Sequence, residues 1–448
     1  MREKLERIIF YLLIFTVPVQ ARVILHSWTR PFNQWTSAYL YGTDILLGVL
    51  FLFWLARVFK GSWRIPNFKF QISRSTSFWL VVLFVVSGVS IFNSRIIGLS
   101  FYQLLKLAEF IGFYFYLLHN LGKVFQFKTV LVIIIASGFF QSLIAIAQYI
   151  TQGSVGLRLL GESPLSINTT GVAVFIADGE RYLRAYGTAP HPNILAVWLF
   201  TAIFALYFLF LYRPSGGRDE KKITNFFQKY GLVLVYAVVL FAFFFTFSRV
   251  IIGLWALGVL ARLLIVLFKK EFRQNQMLRR RIVTLFVISA VVSAAFSAVF
   301  WPQVSSRIHI SAQDPAFSER VFYNKIAGSV ATSHPLLGVG IGQFVPSFMS
   351  ELKYLPSTAY QPVHNVYLLI VSEAGFIGLG AFILFLFFIF WRFIRQADFA
   401  KLHTFSFLIF TLSFLAIGLF DHFLWTSQQG SMIFWMVLAL LNQAKSTL

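Results

Sequence analysis

The chain has 448 residues, 58% of them hydrophobic and only 12% charged, with a mean hydropathy of +0.75; so few charges cannot cover a water-soluble domain of this size. Its formal net charge of +22 would suggest nucleic acid in a soluble protein, but the basic residues sit in short loops between apolar runs, where membrane topology accounts for them and no nucleic-acid partner is expected. The absence of cysteine excludes disulfides, thiolate nucleophiles, Cys-bound zinc and iron–sulfur clusters.

Apolar segments recur near 8–25, 43–59, 77–92, 101–118, 129–149, 193–212, 231–247, 250–268, 282–300, 366–390, 404–420 and 423–441. Each is close to the roughly 20 residues that cross the hydrocarbon core as a helix. They predict an all-α polytopic membrane protein of about twelve spans in a single integral-membrane domain, residues 1–448. The basic start before the first segment resembles a signal peptide, with a weak cleavage site at Val19-Gln20-Ala21. An uncleaved first helix is the preferred reading, because the other segments keep their charge asymmetry either way. Twenty-six of the 38 Lys and Arg fall on one side of the alternating segments, which places both termini in the cytoplasm. The remaining loops face outward.

In the fourth segment, Lys106 and Glu109 stand three apart on one helix and can neutralise each other. After the fifth comes the first long outward loop, 150–192, which ends in Arg184-Ala-Tyr-Gly187-Thr-Ala-Pro190-His191-Pro192-Asn193. Asn193 suits either a helix cap or a substrate contact there. Almost no loop separates the seventh and eighth segments, and Arg249 stands between them in Thr246-Phe-Ser248-Arg249. A guanidinium at that depth pairs, snorkels to headgroups or lines a polar cavity.

The second long outward loop, 301–365, contains an apolar spacing over 317–333 that suits a surface-lying amphipathic helix. Ser318 is its expected N-cap and His334-Pro335 its stop. Arg320 projects from it, either to a solvated face, to Glu319 or to a ligand. Gly338-Val-Gly340-Ile-Gly342 lacks the strand, helix and Lys-Ser/Thr of a phosphate loop, so a tight turn is expected. His364-Asn365 then opens the tenth segment, and Gly375-x-x-Gly378 lets that helix pack closely on a neighbour. Asp421-His422, in the last outward loop, offers a second proton-handling pair or an ordinary loop.

The outward acidic residues are scattered, and no His-x-x-x-His pair is present, so no metal or other cofactor is expected. What the outward side does offer is His364 as a base, with Arg184, Arg249 and Arg320 as cations. That set suits transfer from a diphosphate-linked donor: the arginines neutralise the leaving diphosphate while the imidazole deprotonates an attacking hydroxyl.

The chain resembles the O-antigen ligase and polymerase superfamily of bacterial envelope glycan enzymes. The resemblance rests on Thr246-Phe-Ser248-Arg249, on Ser318-Glu-Arg320 leading to His334-Pro335-Leu-Leu-Gly338-Val-Gly340-Ile-Gly342, on His364-Asn365 with Gly375 and Gly378, and on Arg184 with His191-Pro192-Asn193. These blocks span 184–380; the first 150 residues resemble the family only as membrane helices. The resemblance implies a metal-independent glycosyltransferase of the multi-span type in the bacterial inner membrane, its site facing the periplasm or exterior. Its donor is a glycan on undecaprenyl diphosphate, and its acceptor a hydroxyl on lipid A-core or another envelope glycan. Carried over, Arg249, Arg320 and, less securely, Arg184 hold the diphosphate, with Asn365 beside them, and His364 activates the acceptor. These motifs do not separate ligation from polymerisation. A transporter or flippase of lipid-linked sugars is the competing class, against which stand the lack of two matching halves and the one-sided clustering of reactive residues.

Overall fold

The structure, a computed structural model, describes residues 2–59, 74–211, 222–309 and 315–443. The basic residues within 60–73 and 212–221, and Lys445, lie outside the described residues.

Eleven of the twelve predicted apolar segments fall on helices, and the first does so over its first half. In chain order, α1 (Arg2–Thr16) is followed by a hairpin of β1 (Arg22–Ser27) and β2 (Ser37–Tyr41), then by α2 (Gly42–Phe59), α3 (Arg74–Val89), α4 (Ile97–Asn120) and α5 (Phe127–Thr151). A second hairpin, β3 (Val174–Ala177) with β4 (Glu180–Leu183), occupies the first long loop. Then come α6 (Pro192–Leu211), α7 (Lys222–Phe244), α8 (Arg249–Phe268), the short α9 (Lys270–Gln274) and α10 (Gln276–Val299). The second long loop holds α11 (Trp301–Ile308), α12 (Pro315–Ser333) and α13 (Phe344–Glu351), and the chain closes with α14 (Val366–Gln396), α15 (Leu402–Gly418), α16 (Phe423–Thr426) and α17 (Gln428–Gln443). Among the described residues, seven helices are long and apolar enough to cross a membrane. The other five that carry predicted segments are shorter or charged but pack into the same bundle.

The buried heart of the bundle is α6, whose Leu195, Val197, Trp198, Leu199 and Ala202 are fully enclosed. Its contact with α5 depends on small residues: a Cβ on Gly138 would sit 2.4 Å from that of Ala202. In a bilayer, where lipid tails are as apolar as leucine, such close approach is what holds helices together.

Three expectations are corrected. The first segment does not run to residue 25: α1 stops at Thr16, before Pro18, and the β-branched run that follows becomes strand β1, paired antiparallel with β2. Ser318 is not an N-cap, since α12 begins at Pro315 and encloses it. Gly375 is not a helical packing residue: it breaks α14 with φ 69° and ψ −176°. The tight turn at 335–340 inserts at this break. There Phe376 N–H donates to the Pro335 carbonyl (2.8 Å), Val339 N–H to that of Ser372 (2.9 Å) and Gly340 N–H to that of Glu373 (3.0 Å). Gly378, one turn on, does lie beside Val86 of α3.

The same insertion anchors the second long loop. A small core of Tyr323, Ala327, Phe344, Phe348, Val363 and Leu369 seats α12 and α13 on the start of α14. Helix direction alternates along the chain, so the stretches 17–41, 90–96, 152–191, 245–248, 300–365 and 419–427 all gather at one end of the bundle.

Candidate functional site

Residues from these gathered stretches line one cavity of about 1080 Å³. Arg184, Arg249, Arg320 and His364 all face it, so the structure brings together four of the five site residues named from sequence. Asn365 is placed differently: its Oδ1 accepts from Tyr367 and Leu368 N–H (2.9 and 3.0 Å), which caps α14. It fixes the direction in which the preceding His364 leaves the helix.

Arg184 is held from below by α5. Gln148 accepts from Tyr186 and Gly187 N–H (3.0 and 2.8 Å), and Gln141 accepts from Thr188 N–H (2.9 Å), so two buried amides replace a strand partner for this loop. Gly187 is required by the fit: its φ is +60°, and a Cβ would lie 2.4 Å from Gln141 Oε1. The Arg184 side chain donates through Nε to the Thr246 carbonyl (2.8 Å) and through Nη2 to Asn193 Oδ1 (2.6 Å). The Thr246 carbonyl is available because α7 and α8 are joined by a tight reversal with Phe247 at φ 44°. That reversal also sets Arg249 as the first residue of α8.

From Asn193 the network continues inward. Asn193 Nδ2 donates to Asp421 Oδ2 (2.7 Å), while Asp421 Oδ1 accepts from His422 N–H (2.8 Å) and lies 3.9 Å from His364 Nδ1. The His364 and His422 rings stack at 5.1 Å, and Tyr323 meets His364 edge-on at 5.9 Å. His422 Nδ1 shares a hydrogen bond with Thr426 Oγ1 (2.7 Å). Asn193 therefore bridges a cation to a carboxylate rather than capping α6; His191 Nδ1 receives the Asn193 N–H instead (3.2 Å). On the far wall Arg307 donates to the Phe247 carbonyl (3.4 Å), and Arg320 on α12 has its Nε buried without a hydrogen-bond partner.

The electrostatics separate the roles. Burial, with the neighbouring Arg307 guanidinium, pushes Arg184 down to about 9, so it stays a cation at neutral pH. Burial by itself would raise the Asp421 carboxyl, but the neighbouring His364 and His422 imidazoles hold it well below the usual carboxylate range. Burial and the charge of His364 push His422 down to about 3; burial and Arg184 push His191 down to about 4. Both are neutral near pH 7, and Asp421 is an anion poised to steady a proton on His364.

Ligand atoms of His364, Asp421 and His422 lie within 4.8 Å of one another, a set that suits a divalent cation by donor type. Four guanidiniums in the same cavity oppose one, and the Asp421 oxygens are already engaged by N–H groups.

Asn193 and the Asp421-His422 pair, which the sequence left open between site and scaffold, thus belong to the cavity, and Arg307 is the lining residue that no motif singled out. Arg307 carried the one available signal, an arginine on the outward side of a basic-inside protein.

No curated protein matches the chain significantly. Residues 232–383, which contain Arg249, Arg307, Arg320 and His364, match the family described as O-Antigen ligase.

Proposed function

We propose that this protein is a metal-independent membrane glycosyltransferase that moves a glycan from undecaprenyl diphosphate to a sugar hydroxyl. The observation that carries the reading is the meeting, in one cavity, of Arg184, Arg249, Arg307 and Arg320 with His364 backed by Asp421. The arginines hold the diphosphate and neutralise the charge that grows on it as the anomeric C–O bond breaks. His364 takes the proton of the acceptor hydroxyl as its oxygen forms the new bond from the opposite face, which inverts the anomeric configuration. Asp421 stabilises the imidazolium so formed. Asn193 ties this proton-handling side to Arg184 on the phosphate side.

In this reading the site faces the periplasm or exterior of a bacterial inner membrane, with both termini and the loop at 269–275 in the cytoplasm. Support comes from the 26 basic residues assigned to the opposite end of the bundle from the cavity. A polymerase would use the same chemistry with a second lipid-linked glycan as acceptor.

Purified protein incubated with lipid-linked oligosaccharide and candidate acceptors tests the reading. Release of undecaprenyl diphosphate with a glycosylated acceptor, undiminished by EDTA, is the expected result. Translocation of intact donor without cleavage would make it a transporter, and loss of transfer on chelation, restored by magnesium, would assign His364, Asp421 and His422 to a metal.

A further inference from the structure

Three of the four cavity arginines, Arg249, Arg307 and Arg320, belong to the matched region, but the opposite wall does not. It is built by Arg22, Trp35, Tyr39 and Tyr41 of the β1–β2 hairpin, with Tyr102 of α4 and Gln428 of α17, none of which the proposed chemistry uses. We propose that this wall is the subsite for the acceptor's sugar ring, an inference that rests on the transferase reading above.

Position is the first argument. Trp35, at the hairpin tip, meets the His422 ring edge-on at 5.0 Å, and His422 stacks on His364. The tip is pinned there by Asn33, whose Nδ2 donates to the Tyr360 carbonyl (3.0 Å) just before His364. A hydroxyl delivered to His364 therefore has its ring beside the hairpin.

Presentation is the second. Side chains alternate along a strand, and Ser37, Tyr39 and Tyr41 of β2 line the cavity while Ala38 and Leu40 do not. The Arg22 guanidinium lies 4.2 Å from the Tyr39 ring centroid and donates to Tyr41 Oη (3.3 Å). Tyr102 Oη locks the strand to α4 by accepting from Tyr39 N–H (3.1 Å) and donating to its carbonyl (3.0 Å). The wall is thus a rigid array of aromatic rings with polar tips, suited to stacking on the C–H face of a sugar.

Unmet hydrogen bonding is the third. Tyr39 is 5% exposed and its hydroxyl has no partner; Gln428 is 3% exposed and its Oε1 has none either. Buried polar groups are almost always paired, so two unpaired ones on one cavity wall mark where a ligand's groups belong. Sugar hydroxyls both donate and accept, and so satisfy both atoms; an acyl chain satisfies neither.

Charge is the fourth. Lys106, which lines the cavity on this side, is bound by two carboxylates, Asp44 (2.9 Å) and Glu109 (2.5 Å). They balance Lys106 and Arg22, whereas the far wall carries four guanidiniums. A diphosphate goes to the far wall, and a neutral ring to this one.

The test is saturation-transfer difference NMR on the full-length protein in nanodiscs. The probe is the oligosaccharide fraction released by mild acid from envelopes of the organism that encodes the chain. Ring protons of one component should receive saturation from the wild type. Tyr39→Phe, which keeps the ring and removes only the hydroxyl, and Arg22→Gln should each weaken that binding about five- to tenfold, at unchanged melting temperature. Saturating undecaprenyl diphosphate should leave the signal in place, and Arg249→Lys should lose affinity for that lipid without losing the signal. No saturation transfer, equal signals in both hairpin variants and wild type, or displacement by undecaprenyl diphosphate would each overturn the subsite. Failure of the transferase reading would show separately, as failure of undecaprenyl diphosphate to bind the wild type.

Discussion

His364 is reached by a carboxylate on one side and an aromatic edge on the other, and both neighbouring histidines are held neutral. It is therefore the imidazole at which a transferred proton meets a compensating charge. His364→Ala and His364→Gln should each lower turnover about 10²–10⁴-fold, with donor binding nearly unchanged, measured as product formation against undecaprenyl diphosphate affinity. Wild-type turnover in His364→Gln would reduce the residue to a structural role. Asp421→Asn should cost about 10- to 100-fold by the same assay, as expected for loss of a charged hydrogen-bond acceptor. At the opposite wall, lysine offers a point charge in place of a planar fork. Arg249→Lys and Arg320→Lys should thus each lose about 30- to 1,000-fold in kcat/KM; full activity in both at equal membrane abundance would remove them from the diphosphate site. Acid stability follows from His422 and His191, whose folded forms resist protonation while the unfolded chain protonates them below about 6.5. They leave stability unchanged above that pH and erode it as pH falls from about 6.5 toward 4, and Asp421, ionised in the folded state throughout, adds to the loss only as pH nears the ordinary carboxylate value of about 3.9. The melting temperature in detergent should fall between pH 7 and pH 4.5, and His422→Gln should flatten the decline.

Between residue and bundle stand the devices that hold these side chains: the Gln141–Gln148 pair under the Arg184 loop, the Phe247 reversal before Arg249, and the break in α14. Little of this was legible in the sequence. A glycine pair in an apolar run signals close packing, but whether it packs or breaks depends on a loop 40 residues upstream, and periodicity carries no such information. Asn193 read equally well as a cap for the same reason, since its true partner Asp421 is 228 residues away. Helix existence, by contrast, was plain from hydropathy, because the bilayer demands that each apolar run satisfy its own backbone. The α14 break gives a sharp contrast to measure. Gly375→Ala places a Cβ 2.0 Å from the Leu336 carbonyl at a φ that only glycine adopts easily, whereas Gly380→Ala meets nothing within 4 Å. The first should cost about 3 kcal/mol or more and sharply reduce folded yield; the second should be close to neutral. Equal melting temperatures for the two would mean that the inserted turn yields freely.

For the molecule as a whole, the asymmetry of charge and the asymmetry of structure coincide. One end gathers the long loops, both hairpins and the cavity; the other carries most of the basic residues among those described. The charge bias was readable from sequence because it acts during insertion, before tertiary contacts exist, and needs only loop composition. The cavity was readable only as scattered exceptions to that bias, each an arginine on the side where arginines are scarce. An arginine held there in a cavity is costly unless something anionic is bound, which ties the orientation of the bundle to the chemistry of its ligand. Since the chain has no cysteine, single thiols test that orientation directly. Tyr354, fully exposed in the second long loop, and Gln274, exposed at the end of α9, lie at opposite ends of the bundle. In intact spheroplasts a membrane-impermeant maleimide should label Tyr354→Cys and spare Gln274→Cys, and permeabilisation should expose the second. The reverse pattern would turn the cavity toward the cytoplasm, where a lipid-linked glycan is still being built, and the transferase would then have to act before its donor crosses the membrane.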